Sequence, residues 1–251
     1  ENKKGYWENS EVQTINEAVL KLLGGAWYFP GDFVEGWQEI LGMPEMLKRA
    51  EQFLSDKPAN FLFKDPRTSI CLPFWLKVKP DLKLVMVLRH PLDVARSLES
   101  RKFSISLPLG LNMWAEYNRR IIYDGPENIL CVVQYENFFD NKPEEMKVLL
   151  GGLKGFVADE VESSEIDKVS DLNLRNQGAE IRKEECDPAL LVFYRKLIAV
   201  HGLQKDSESF RDGIKGVRNY LMEDPVFNSY RKKAPANIQK GLEFANKLSE
   251  E

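Results

Sequence analysis

Residues 82–88 (LKLVMVL) constrain the fold more than any other stretch of the chain. Apart from Lys83, the run from Leu82 to Leu88 is apolar at successive positions rather than alternate ones. A strand of that kind has to be covered on both faces, as parallel strands are when helices pack above and below the sheet. Arg89-His90-Pro91 ends the run. Pro91 suits the first turn of a helix to about Arg101, because the N–H it lacks has no intrahelical partner there. The segment therefore predicts strand, turn and helix in succession.

Similar units lie on either side. Residues 10–23 place Val12, Ile15, Val19, Leu20, Leu22 and Leu23 near helical spacing, with Asn9 or Ser10 to cap the helix and Gly24-Gly25 to stop it. A loop of aromatic residues and glycines, 27–37, leads to a second amphipathic helix over 44–54. Phe61-Leu62-Phe63 reads as a short buried strand, bounded by Lys57-Pro58 and by Lys64-Asp65-Pro66-Arg67. Residues 68–78 read as helical despite Pro73, 108–123 as a helix and 129–134 as a strand, and Asn141 with Glu144 resembles a capping box for a helix to Leu150. Beyond Gly151 the pattern turns helical and more polar. The expected fold class is α/β: a parallel sheet flanked by helices over 1–150, with a helical extension over 151–251 packed on it in a single domain.

Composition narrows the function classes. At 43% hydrophobic residues, the 251-residue chain can bury a sizeable core. Lys and Arg total 35 against 39 Asp and Glu, a formal charge of −4, so no global field is available to hold nucleic acid and any anionic ligand has to be gripped locally. Cys71, Cys131 and Cys186 lie in apolar surroundings without a C-x-x-C pair and read as reduced core residues rather than a disulfide framework or a zinc site. No stretch reaches the ~18 apolar residues of a membrane span. A cytoplasmic protein is the expectation.

Ligand crevices of open α/β sheets lie off the carboxyl ends of the strands. Three polar groups are expected there: Lys64-Asp65-Pro66-Arg67, Arg89-His90 and Tyr135-Glu136. Lys64, Arg67 and Arg89, with the N-terminus of the helix starting at Pro91, compose a cradle for phosphate or sulfate. The competing reading pairs Arg67 and Arg89 with Asp65, Asp93 or Glu136 in ordinary salt bridges.

Residues 63–101 resemble the core of the sulfotransferases that use 3′-phosphoadenosine 5′-phosphosulfate, closest to the bacterial and tyrosylprotein branches. There a K-D-P turn precedes a strand ending R-x-P, with a serine eight residues after the arginine, as in Lys64-Asp65-Pro66, Arg89-His90-Pro91 and Ser97. Val133-Gln134-Tyr135-Glu136-Asn137-Phe138 is similar to the family's Y-E-D-L segment, and Gly5-Tyr6-Trp7-Glu8-Asn9 with Ile15-Asn16 to a block of the bacterial members. The resemblance covers residues 5–150 and implies a P-loop-like fold and a sulfonate-transferring enzyme that leaves adenosine 3′,5′-bisphosphate and needs no metal. It implies that Arg89 and Ser97 bind the 3′-phosphate, with Arg67 and Tyr135 also on the donor, and that Lys64 stabilises the bridging oxygen as the phosphosulfate breaks. Glu8 is the candidate general base and His90 its rival; a helix-entry glutamate is the ordinary alternative for Glu8. His201 is expected to pack or face water, Trp75 and Trp114 to lie in the core, and Arg211-Asp212-Gly213-Ile214-Lys215-Gly216 to be either a 3′-phosphate loop or a link between helices.

The family's glycine-rich 5′-phosphosulfate loop is absent from these residues, and Gly151-Gly152-Leu153-Lys154-Gly155 lacks the spacing of a Walker A sequence. Because the chain opens on Glu1, an upstream segment carrying that loop is expected. The alternative is a non-catalytic domain of sulfotransferase descent that binds a nucleotide or a partner. Loops 27–37 and 103–111 are the expected acceptor contacts, suited to a small molecule, sugar or lipid.

Overall fold

The computed structural model describes residues 8–101, 105–156 and 186–233. They form two compact units, one of residues up to Leu82 with Glu116–Gly125, the other of Lys83–Ala115 and the residues from Pro126 on. The described residues are mixed α/β, mostly helical, with a two-stranded parallel sheet.

The first unit is helical. Helix α1 (Ser10–Leu22) begins where Asn9 turns extended and its side chain accepts from the amides of Glu11 and Val12, which satisfies two of the donors that a helix start leaves over. Helix α2 (Met43–Ser55) carries Pro44 in its first turn, and α3 (Leu72–Val78) carries Pro73 there, where proline costs no hydrogen bond. Val12, Ile15, Val19 and Leu20 of α1 bury against Met43 and Ala50 of α2 and Phe74 and Trp75 of α3, with Trp37, Ile70 and Cys71 closing the core. The expected strand at Phe61-Leu62-Phe63 is not formed. These residues join no ladder, and Leu62 is 74% exposed. Three apolar residues alone supply no partner edge, and the rings of Phe61 and Phe63 join an aromatic row with Phe53 and Trp75 instead.

The second unit holds the sheet. Strand β1 (Leu84–Leu88) is followed by α4 (Pro91–Glu99), and α5 (Leu107–Asp124) leads towards β2 (Ile129–Gln134); residues of α5 from Glu116 on belong to the first unit. The strands pair in parallel, Val85 opposite Cys131 and Leu88 opposite Gln134, and the Tyr135 amide extends the ladder by donating to the Leu88 carbonyl at 2.8 Å. β2 is buried from Ile129 to Val133, but β1 is not buried throughout: Val87 is 57% exposed, so the covering of both faces expected of residues 82–88 is incomplete. Short α6 (Asn137–Asp140) and α7 (Lys142–Gly152) follow. Asn141 precedes α7 but its side chain makes no capping bond, so the expected capping box is not made. Helices α8 (Pro188–Ile198) and α9 (Glu208–Glu223) lie in contact and bury Phe193 on the one and Val217, Tyr220 and Leu221 on the other, and the Tyr220 hydroxyl donates to the Ala189 carbonyl. Among the described residues no helix is long and apolar enough to cross a membrane.

Candidate functional site

The expected site residues fall in two clusters, one in each unit. In the first, Asp65 turns the chain: its carboxylate accepts from the Arg67 amide at 2.8 Å and opens a 3-10 turn over Pro66–Ser69. Buried Asn16 braces this turn, donating to Asp65 and Thr68 while accepting from the Trp75 indole at 2.8 Å. The Arg67 guanidinium is filled by carboxylates. Its Nε donates to Asp65, one terminal nitrogen to Asp65 and Glu8 at 2.7 and 3.0 Å, and the other to Glu17 at 2.7 Å. Burial opposes the charge on this side chain, but the three carboxylates outweigh it and hold the guanidinium above its ordinary pKa. The salt-bridge alternative therefore describes Arg67.

Glu8 and Lys64, the two candidate catalytic residues, meet. The Lys64 ammonium, 57% exposed, lies 3.3 Å from Glu8 Oε1, and Arg67 holds the other oxygen. Both Glu8 oxygens thus face cations. Gly5, Tyr6 and Trp7 lie outside the described residues.

The loop after α1 is tied to α5 within the same unit. The Tyr117 hydroxyl donates to the Trp27 carbonyl, and buried Arg120 donates to the Gly31 carbonyl and Asp32. Arg119 and Arg120 also clasp Glu116. Burial alone raises the Glu116 pKa, but the two guanidinium groups reverse the effect and hold it at about 2.

The second cluster lies where β1 and β2 end. Buried Trp114 donates its indole N–H to the Arg89 carbonyl at 2.9 Å, which fixes the backbone as the strand stops. The Arg89 guanidinium carbon sits 4.7 Å from the centroid of the Tyr135 ring, a cation–π arrangement. Its Nε is buried without a hydrogen-bond partner, and among the described residues no carboxylate pairs with it. The salt-bridge alternative, right for Arg67, does not describe Arg89. Glu136 turns instead to the next residue: its Oε1 accepts from the His90 amide at 3.0 Å, so a carboxylate already faces the start of α4.

Three more buried polar atoms here lack partners, namely Glu136 Oε2, Asp93 Oδ1 and His90 Nδ1. Burial lowers the His90 pKa, outweighing the opposite pull of Asp93 and Glu136. Its ring meets the edge of Tyr194 at 5.0 Å, whose hydroxyl accepts from Gln134. Burial pushes the Tyr194 phenol up to about 12. Ser97 is half-buried on α4, roughly 9 Å along the helix axis from Pro91.

Sequence reasoning passed over the carboxylate that fixes this end of the sheet. Glu145, 1% exposed, accepts from the Gln134 amide at 2.6 Å and from the Asn137 side chain at 2.8 Å, and His201 Nε2 lies 2.8 Å from its Oε2. It thereby holds the turn that carries Tyr135 and Glu136. His201, expected to pack or face water, is its partner. Nothing in the sequence separates Glu145 from its exposed neighbour Glu144. Two further readings are corrected. Arg211 to Gly216 form no loop but the middle of α9, and residues 107–111 of the expected acceptor loop are the first turn of α5, while Phe103 lies outside the described residues.

The three thiols are free and buried, and burial raises each of them, Cys131 to about 11 and Cys186 to about 12. They are not poised as nucleophiles. No protein-family model, curated protein or solved structure matches the chain.

Proposed function

We propose that the chain is a sulfotransferase that moves a sulfonate from 3′-phosphoadenosine 5′-phosphosulfate to a hydroxyl or amine of a small-molecule, sugar or lipid acceptor. The observation that carries this reading is Arg89. Its guanidinium stands at the carboxyl end of β1, braced on Tyr135, with a buried Nε that has no acceptor although Asp93 and Glu136 lie in the same cluster. A buried donor without a partner is costly, and a phosphate dianion matches the guanidinium fork. On this reading Arg89, with Ser97, holds the 3′-phosphate of the donor.

In the transfer, the bond from sulfur to the bridging oxygen breaks as the bond from sulfur to the acceptor forms. The leaving phosphate gains the negative charge, and the resemblance gives Lys64 the role of meeting it. The acceptor's proton passes to Glu8. The Glu8–Lys64 pair suits this division: when the ammonium turns to the leaving phosphate it releases Glu8 Oε1, the oxygen that takes the proton. The product is adenosine 3′,5′-bisphosphate.

A second reading, a non-catalytic nucleotide-binding domain, is favoured by Arg67, whose capture by Asp65, Glu8 and Glu17 withholds one expected donor-binding cation. Transfer of radiolabelled sulfonate to a panel of hydroxyl and amine acceptors separates the two. The first reading expects turnover that falls about 100-fold in Lys64→Ala with bisphosphate affinity little changed. Bisphosphate binding without any transfer establishes the second.

A further inference from the structure

The polar atoms at the ends of β1 and β2 do not ask for an anion alone. Arg89 Nε is a donor without an acceptor, whereas Glu136 Oε2 and Asp93 Oδ1 are acceptors without donors, all of them buried. An inorganic phosphate satisfies the first and is repelled by the other two. A partner that suits Arg89 Nε and Glu136 Oε2 brings an anion and a hydrogen-bond donor together. Glu136 is fixed beside the turn that carries Arg89. It follows Tyr135, the ring beneath the Arg89 guanidinium, and its Oε1 is anchored by the amide of His90, the residue after Arg89. A hydrogen bond to an ionised acceptor is among the stronger ones, and leaving that acceptor buried and unpaired is the costly case.

The geometry points to Glu136 as a specificity residue that accepts a hydrogen bond from a hydroxyl on the atom next to the phosphate-bearing one, in a ribose 3′-phosphate the 2′-hydroxyl. This rests on the proposed function, which puts the 3′-phosphate on Arg89. It adds that the site reads the sugar beside that phosphate and discriminates ribose from deoxyribose.

Calorimetric titration of the full chain with adenosine 3′,5′-bisphosphate and with its 2′-deoxy counterpart tests it. Wild type is expected to bind the ribose compound about tenfold or more tightly than the deoxy one. Glu136→Gln keeps an oxygen for the His90 amide but removes the charged acceptor. It is expected to narrow the ratio to about threefold or less from both sides: the ribose compound binds more weakly, and the deoxy compound at least as tightly as to wild type, because one negative charge has left the neighbourhood of the phosphate. Damage to the fold weakens both compounds alike, so this crossing pattern distinguishes recognition from structure. If the variant does not fold, the wild-type ratio decides. Equal wild-type affinity for the two compounds, with both lost in Arg89→Ala, overturns the inference and leaves the proposed function standing. Failure of wild type to bind either compound overturns both.

Discussion

Arg67 and Arg89 show how surroundings decide what a guanidinium is for. Arg67 spends its donors on Asp65, Glu8 and Glu17, and its work is to lock the turn that Asp65 begins. Arg89 leans on an aromatic face and keeps a buried donor unmatched. Two predictions belong to single residues. Asn16, fully buried, joins α1 to Asp65, Thr68 and Trp75. Asn16→Leu leaves the Trp75 indole N–H without its acceptor, and a loss on the order of 2–4 kcal/mol is expected in urea unfolding. Glu116, clasped by Arg119 and Arg120, has a pKa lowered from 4.5 to about 2. Because the folded value lies below the unfolded one, the unfolded chain takes up the proton first as pH falls. The contribution of these contacts, on the order of 2–3 kcal/mol, is present above about pH 4.5 and is lost as pH falls towards 2. Glu116→Gln is expected to flatten that part of the stability curve measured by denaturant titration between pH 6 and about 2; an unchanged slope contradicts the assignment.

At the scale of elements, close approach sets the tolerances. A Cβ on Gly110 of α5 would lie 2.8 Å from the Cα of Ala95 on α4. Gly110→Ala therefore has to push the two helices apart, and a loss of about 1–3 kcal/mol in thermal unfolding is expected, whereas Gly151→Ala on α7, with open space around its Cβ, is expected to be tolerated. The elements legible in the sequence were those that specify themselves locally. α1 has its Asn9 cap and a 3.6-residue stripe, and the apolar run of β2 is bounded on both sides, so their limits matched closely. The misreadings arose where distant packing decides. Phe61-Leu62-Phe63 had the composition of a strand but no edge to join. Gly213 and Gly216 marked a loop by local preference, yet Phe210, Ile214, Val217, Tyr220 and Leu221 bury one face and keep α9 helical through both glycines. Glu145 was invisible because only the tertiary fold brings His201, Asn137 and the end of β2 to it.

For the whole molecule, the candidate residues divide between two units: Glu8, Lys64 and Arg67 belong to one, Arg89, Ser97 and Tyr135 to the other. Each cluster was legible in part. The polar residues after residues 82–88 and 129–134 marked the second, and the Lys64-to-Arg67 quartet marked the first, but which cations would be consumed by neighbouring carboxylates depends on contacts that no spacing encodes. Arg89 is proposed to hold the 3′-phosphate of an adenylate, and the decisive experiment is calorimetry with adenosine 3′,5′-bisphosphate on wild type and Arg89→Ala. Wild type is expected to bind, and the variant to lose about 100-fold in affinity while a cooperative thermal unfolding transition shows that it is still folded, as follows when a buried charge-assisted contact to a ligand is removed. Equal affinity in the two proteins would contradict it.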